Sequence, residues 1–174
     1  MSSSKFLLPR FSSLVPVLAV LLLSSCGFQL RGSATLPFEV LYVQAPPGSL
    51  FATQLRRIIG SGTNTRITTD QVQADATLNV LSELREKEIV SLSAGGRVRE
   101  FQLRYRVSYQ LYDKAKSPLA PTAEILLRRD FSFNDQDQLS KESEEALLFR
   151  DMQTDAVQQL LRRLQAIGRA SAKG

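Results

Sequence analysis

From Ala76 onward apolar and polar residues alternate in steps of two. The cleanest run sets Phe101, Leu103, Tyr105, Val107, Tyr109 and Leu111 against Glu100, Gln102, Arg104, Arg106, Ser108 and Gln110. Such a period predicts a strand with one buried and one wet face. Leu78, Val80, Ser82 and Leu84 carry the same period in the preceding run, which continues through Ile89 to Leu92 with a bulge expected near Glu86 to Glu88. Thr122 to Phe133 repeats it with Ala123, Ile125, Leu127, Phe131 and Phe133 on one side. The turn Ala94-Gly95-Gly96-Arg97 and the loop Asp113 to Pro121 join these runs, which predicts an antiparallel meander of three long strands.

Upstream, Glu39 to Ala45 reads as a strand stopped by Pro46-Pro47-Gly48, and Arg66 to Thr69 can add an edge strand. Between them Ser49 can cap a helix with Leu50, Phe51, Leu55, Ile58 and Ile59 on its apolar face and Gly60 at its end. A second, longer helix opens near Ser140, where Glu142, Glu144 and Glu145 suit the positive end of the helix dipole. Its stripe is Leu148, Met152, Ala156, Leu160, Leu164 and Ile167. The expected fold is α+β: a single antiparallel-rich sheet of about four strands with two helices packed on one face, in the order β-α-β-β-β-α. The domain should run from 39 to 168, with 169–174 a polar, disordered tail.

The first 26 residues follow different rules. Lys5 and Arg10 precede an unbroken apolar run, Leu14 to Leu23, that ends in Ser24, Ser25 and Cys26. This is the pattern of a secretory leader, and its apolar run is about half the roughly 20 residues a membrane-spanning helix needs. Leu23-Ser24-Ser25-Cys26 resembles the lipobox of bacterial lipoproteins, in which residues 1–25 would be removed and Cys26 would carry an S-diacylglycerol and an N-acyl group. Several acyl chains anchor stably where one is marginal. Residues 26–38 would then form a lipidated tether. Gly27 stands where inner-membrane lipoproteins commonly have Asp, so the expected address is the periplasmic side of the outer membrane.

Composition narrows the chemistry. The chain has one Cys, no His and no Trp. That excludes Ser-His-Asp and Cys-His catalysis, a Cys/His zinc cage and a disulfide framework. Gly60-Ser61-Gly62 lacks the further glycine and the preceding strand of a dinucleotide loop, and no Ser-x-x-Lys remains once the leader is removed. Asp135 and Asp137 are paired carboxylates in sequence only, on a loop before the last helix. Neither an enzyme nor a metal or cofactor site is expected. Without Lys5 and Arg10 the balance is 20 basic against 17 acidic residues, or +3, which gives no reason to expect a nucleic-acid partner. The cations do cluster: Arg97, Arg99, Arg104 and Arg106 lie along the meander, and Arg128, Arg129 and Lys141 follow. Such groups suit phosphates, although any half-buried sheet presents a charged face.

Cys26-Gly27-Phe28-Gln29-Leu30-Arg31-Gly32, directly after the lipobox, closely resembles the mature start of the lipopolysaccharide-assembly lipoprotein family LptE. The element order is similar too, as is the hairpin in which Gly96 precedes Glu100-Phe101-Gln102. The resemblance implies a lipoprotein that plugs the lumen of the LptD-type outer-membrane barrel and takes part in delivering lipopolysaccharide to the cell surface. It implies lipopolysaccharide contacts at Lys141, which matches the family's Lys at the start of the final helix. The family's basic residue at the hairpin tip falls near Ala94 here, leaving Arg97 and Arg99 as its candidates. Two other classes share parts of the pattern: an auxiliary or pilot lipoprotein of another envelope transport machine, and a periplasmic enzyme.

Overall fold

Alternation and capping produce the elements, and the structure, a computed structural model, describes residues 35–133 and 138–171 of them, with the side chains of 139–168 in the last helix. Cys26 and the residues before it, Gly27 to Gly32, Asp135, Asp137 and residues 172–174 lie outside the described residues. The elements are β1 (Val40–Gln44), α1 (Leu50–Gly62), β2 (Arg66–Thr68), a 3-10 turn at Gln71–Gln73, β3 (Ala76–Leu92), β4 (Val98–Asp113), β5 (Ala123–Ser132) and α2 (Gln138–Ser171). One sheet holds all five strands in the order β2-β1-β3-β4-β5. The fold is therefore α+β, and β2 supplies the fifth strand. β1 runs parallel to β2 and β3 because α1 carries the chain back over the sheet, while β3, β4 and β5 form the expected meander.

Ser49 caps α1, its Oγ accepting from Ala52 N at 3.0 Å. Phe51, Ala52, Leu55 and Ile59 are buried beneath it, whereas Leu50, assigned above to this face, is exposed. The helix runs through Gly60 to Gly62, and Thr63 closes it by donating to the Ile59 carbonyl. α2 likewise begins at Gln138, so Ser140 lies inside its first turn rather than at the cap. It also continues past the expected stop at Gly168. That glycine is there for contact: a Cβ at 168 would lie 2.7 Å from Pro37 Cβ. Leu36 and Phe38, which fall within the segment read as tether, are buried in the same core.

Both helices cover one face of the sheet. Tyr105, Val107 and Leu111 are buried under them with Met152, Ala156, Leu160 and Leu164 from α2, as the alternation requires. Arg104, Arg106 and Gln110 lie on the other face and are only half-buried. The period in β3 is the main departure. Instead of a bulge near Glu86 to Glu88, the register shifts between Val80 and Ser82 and again between Ile89 and Leu92. One extra residue at Leu81 inverts the faces of everything after it. Glu83, Arg85 and Lys87 pair with Val107, Tyr105 and Leu103 on the helix side, while Leu84 pairs with Arg106 on the outside and is 45% exposed.

The free edge of β5 is guarded. Arg163 Nη1 donates to the Glu124 carbonyl at 2.9 Å and Arg129 Nη1 to the Arg128 carbonyl at 3.0 Å. Charged groups on an edge disfavour pairing with another chain.

Candidate functional site

The inverted stretch of β3 builds a charged layer under the helices. Glu83 is its hub: Ser49 Oγ donates to it at 2.6 Å, Tyr105 OH at 2.7 Å and Phe51 N at 3.3 Å. A carboxylate thus sits at the N-terminus of α1, where backbone N–H groups need acceptors. Burial, and then the Glu83 carboxylate as hydrogen-bond partner and charge, holds the Tyr105 hydroxyl well above the usual phenol range. Arg85 donates to Gln153 Oε1 at 2.8 Å and lies 5.7 Å from the centroids of Tyr105 and Phe149. Gln153 in turn donates to Gln54 Oε1 and to the Leu50 carbonyl, so one amide ties α2 to α1 and β3.

Lys87 continues the layer toward the β3–β4 hairpin. Its Nζ is 4.1 Å from the centroid of Phe101, 5.7 Å from that of Phe131 and 5.8 Å from that of Phe133, and 2.6 Å from Glu145 Oε2. Lys141 approaches Phe131 from α2 at 5.4 Å, with its Nζ 2.9 Å from Glu144 Oε2 and 3.4 Å from Ser132 Oγ. The side chain of Lys141 is only 18% exposed. Two ammonium groups therefore share one aromatic ring at the end of the sheet, each with its own glutamate.

Arg99 belongs to the same end. It is the extra residue where Ser91 pairs with Glu100 and Leu92 with Val98, and its carbonyl accepts from Phe133 N at 2.8 Å. Ser132, which Lys141 touches, pairs with Glu100. Arg97 lies beyond it in the turn, where Ser93 N donates to the Arg97 carbonyl at 2.7 Å and Gly96 takes φ of +76°. Both side chains are exposed, and among the described residues neither has an ion-pair partner. The structure thus places Lys141 and the Arg99 backbone at the same end of the sheet, with Arg97 in the adjoining turn.

Lys87 is the member that the sequence reading lacks. The only signal for it is the charged run Glu83, Arg85, Lys87 at every second position, which reads as a wet face until the bulge is known. Conversely, most cations along the middle of β4 and β5 are neutralised where they stand. Arg104 pairs with Glu88 at 2.7 Å, Arg106 lies 3.7 Å from Glu86 and 3.9 Å from Glu124, and Arg129 pairs with Asp155 at 2.8 Å. These exposed pairs add little stability but leave little free charge. Arg128 alone of that set has no ion-pair partner among the described residues.

Chemically, the end around Lys141 offers ammonium and guanidinium donors beside aromatic rings. A phosphate oxygen can replace the exposed Glu144 contact with a charge-assisted bond of the same kind. Among the described residues no three of His, Cys, Asp and Glu are placed to hold a metal ion, and no helix is long and apolar enough to cross a membrane.

A family model described as LptE, lipopolysaccharide-assembly, matches residues 38–164, from buried Phe38 to the last buried leucine of α2. The chain belongs to the LptE family. An LPS-assembly lipoprotein LptE of Yersinia pestis is 31% identical over 170 residues, covering 94% of this chain and 80% of its own length. Lipoprotein B of Nitrosomonas europaea, solved by NMR, matches with a TM-score of 0.74 at 41% identity, over 84% of this chain and 96% of that one. The rare lipoprotein B of Shewanella oneidensis shares the fold, with a TM-score of 0.64 at 21% identity over 78% and 99% of the two chains. The LptE family is named for assembly and not for a reaction, in keeping with a site made of cations rather than of nucleophiles and bases.

Proposed function

We propose that this LptE-family chain is an outer-membrane lipoprotein that seats in an LptD-type barrel and contacts lipopolysaccharide phosphates through Lys141, with Arg99 and Arg97 beside it. In this reading Cys26 carries the S-diacylglycerol and N-acyl anchor on the periplasmic side, and no catalytic step is involved. The observation that carries the reading is the family match over 38–164, joined to the similarity to an LPS-assembly lipoprotein of Yersinia pestis. The alignment with that relative covers 94% of the chain, so it extends well into the residues before 38.

Geometry supports the same reading. Leu36 and Pro37, where the chain enters the domain, lie by Asn64 and Gly168. Lys141 is near the other end of α2, about 40 Å away at 1.5 Å per residue. A chain entry at one end and cations at the other let a tethered domain reach into a lumen. An outer face whose arginines are mostly paired internally suits a water-filled barrel interior.

The test is affinity purification of the tagged chain from detergent-extracted outer membrane. Recovery of a stoichiometric large β-barrel supports the plug. Its absence overturns it. A Cys26→Ser variant grown with a fatty-acid analogue should incorporate no label; retained label would refute the anchor. Lys141→Asp should weaken lipopolysaccharide binding in a salt-sensitive way with the fold intact, and unchanged binding would remove Lys141 from the site.

A further inference from the structure

α1, from Leu50 to Arg57, and the first half of α2, from Glu142 to Gln153, leave a solvent-open groove over β3. It measures about 660 Å³, and its walls include Leu50, Arg57, Arg85, Phe149, Arg150 and Gln153. That volume is in the range of sites for small organic ligands. Each element contributes one guanidinium: Arg57 from α1, Arg85 from β3 and Arg150 from α2. Among the described residues none of the three has an ion-pair partner, whereas Lys87, Arg104, Arg106, Arg129 and Lys141 each have one. Two carboxylates also line the groove. Glu145 is paired with Lys87, and Glu142 is engaged in an interaction of its own.

Two features make this more than a charged surface. Arg85 is oriented before any ligand arrives, by Gln153 on one side and the Tyr105 and Phe149 rings on the other, so it loses little freedom on binding. Leu50 is 54% exposed at the rim although the rest of its helix buries its large apolar residues. Unpaired cations thus adjoin uncovered apolar surface. A planar carboxylate is satisfied by one guanidinium fork, whereas a tetrahedral phosphate accepts from several directions. Guanidinium groups supplied by three separate elements fit the second.

We propose that this groove binds a phosphorylated amphiphile, with its phosphate among Arg57, Arg85 and Arg150 and its apolar part along Leu50 and Phe149. The site is distinct from the Lys141 end, and the proposal does not rest on the barrel reading. The test uses the full chain purified in detergent and titrated with lipid A or with phosphatidylglycerol dispersed in the same detergent. Arg57→Glu/Arg150→Glu should weaken binding at least about tenfold at low salt, while the same charge change at Arg66→Glu/Arg162→Glu, outside the groove, should change it less than about twofold. Retained binding by Arg57→Lys/Arg150→Lys and unchanged thermal unfolding would separate charge from folding. Preference for lipid A, or equal binding of both lipids, supports the site and assigns its source. Equal losses in the groove and control variants, or no loss in the groove variant, overturn it. Lys141→Asp separates the two readings: loss there with the groove variant unaffected sinks the groove alone, and the converse sinks the Lys141 contact alone.

Discussion

Replacing Glu83 with Ala removes one carboxylate that serves three elements at once. It accepts from Ser49 Oγ at 2.6 Å, from Tyr105 OH at 2.7 Å and from Phe51 N at 3.3 Å. The Tyr105 side chain is fully buried, so its hydroxyl proton is left without an acceptor, at a cost of about 1–3 kcal/mol. Loss of negative charge at the start of α1 adds about 0.5–1 kcal/mol. Because Glu83 is itself half-buried, water replaces part of what Ser49 and Phe51 lose, and the total should be about 3 kcal/mol. That is a large share of the roughly 5–15 kcal/mol of a typical domain. Urea titration followed by circular dichroism should show the midpoint fall without a change in slope. A double-mutant cycle isolates the cause. Tyr105→Phe should cost about 1 kcal/mol in the parent and close to nothing in the Glu83→Ala background. Equal costs in the two backgrounds would refute the idea that this hydroxyl depends on Glu83.

Three further outcomes follow from the same geometry. Leu78→Ser should cost about 2–4 kcal/mol while Leu84→Ser, same in sequence phase but beyond the bulge, should stay within about 0.5 kcal/mol; equal losses in thermal unfolding would deny the inversion at Leu81. Gly168→Ala gains about 1 kcal/mol in helix propensity but drives a methyl group against Pro37, at about 1–3 kcal/mol, so the melting temperature should fall by a few degrees. A rise would show that Pro37 moves freely. Tyr105 titrates above its ordinary value in the fold, so the unfolded chain releases this proton first; the associated stability is intact below about pH 10 and is lost as pH rises further, by about 1.4 kcal/mol per unit. Alkaline unfolding of Tyr105→Phe should lack that component, and identical pH profiles would contradict the raised value.

The sequence alone determines the faces of β4, because a period of two held from Phe101 to Leu111 leaves only one way to bury that strand. It also determines the two helices, since an apolar stripe from Leu148 to Ile167 in α2 needs a sheet to cover it whatever the loops do. Their ends were less legible. Gly60, Ser140 and Gly168 look like stops and caps by residue type, yet the backbone continues through each, and at Gly168 the missing side chain makes room for Pro37. The site depended on tertiary structure most of all. Ser82 and Leu84 continue the apolar phase of Leu78 and Val80, so local composition gives no sign that Leu81 drops out of register. Only pairing with β4 reveals it, and that single residue turns Glu83 to the start of α1, Lys87 to the phenylalanines and Arg85 to the groove. Likewise Arg57, Arg85 and Arg150 are ordinary surface cations in the chain. They meet because α1 and α2 cross the same face of the sheet, and periodicity, which reports only which face of an element is buried, carries no information about which neighbour buries it.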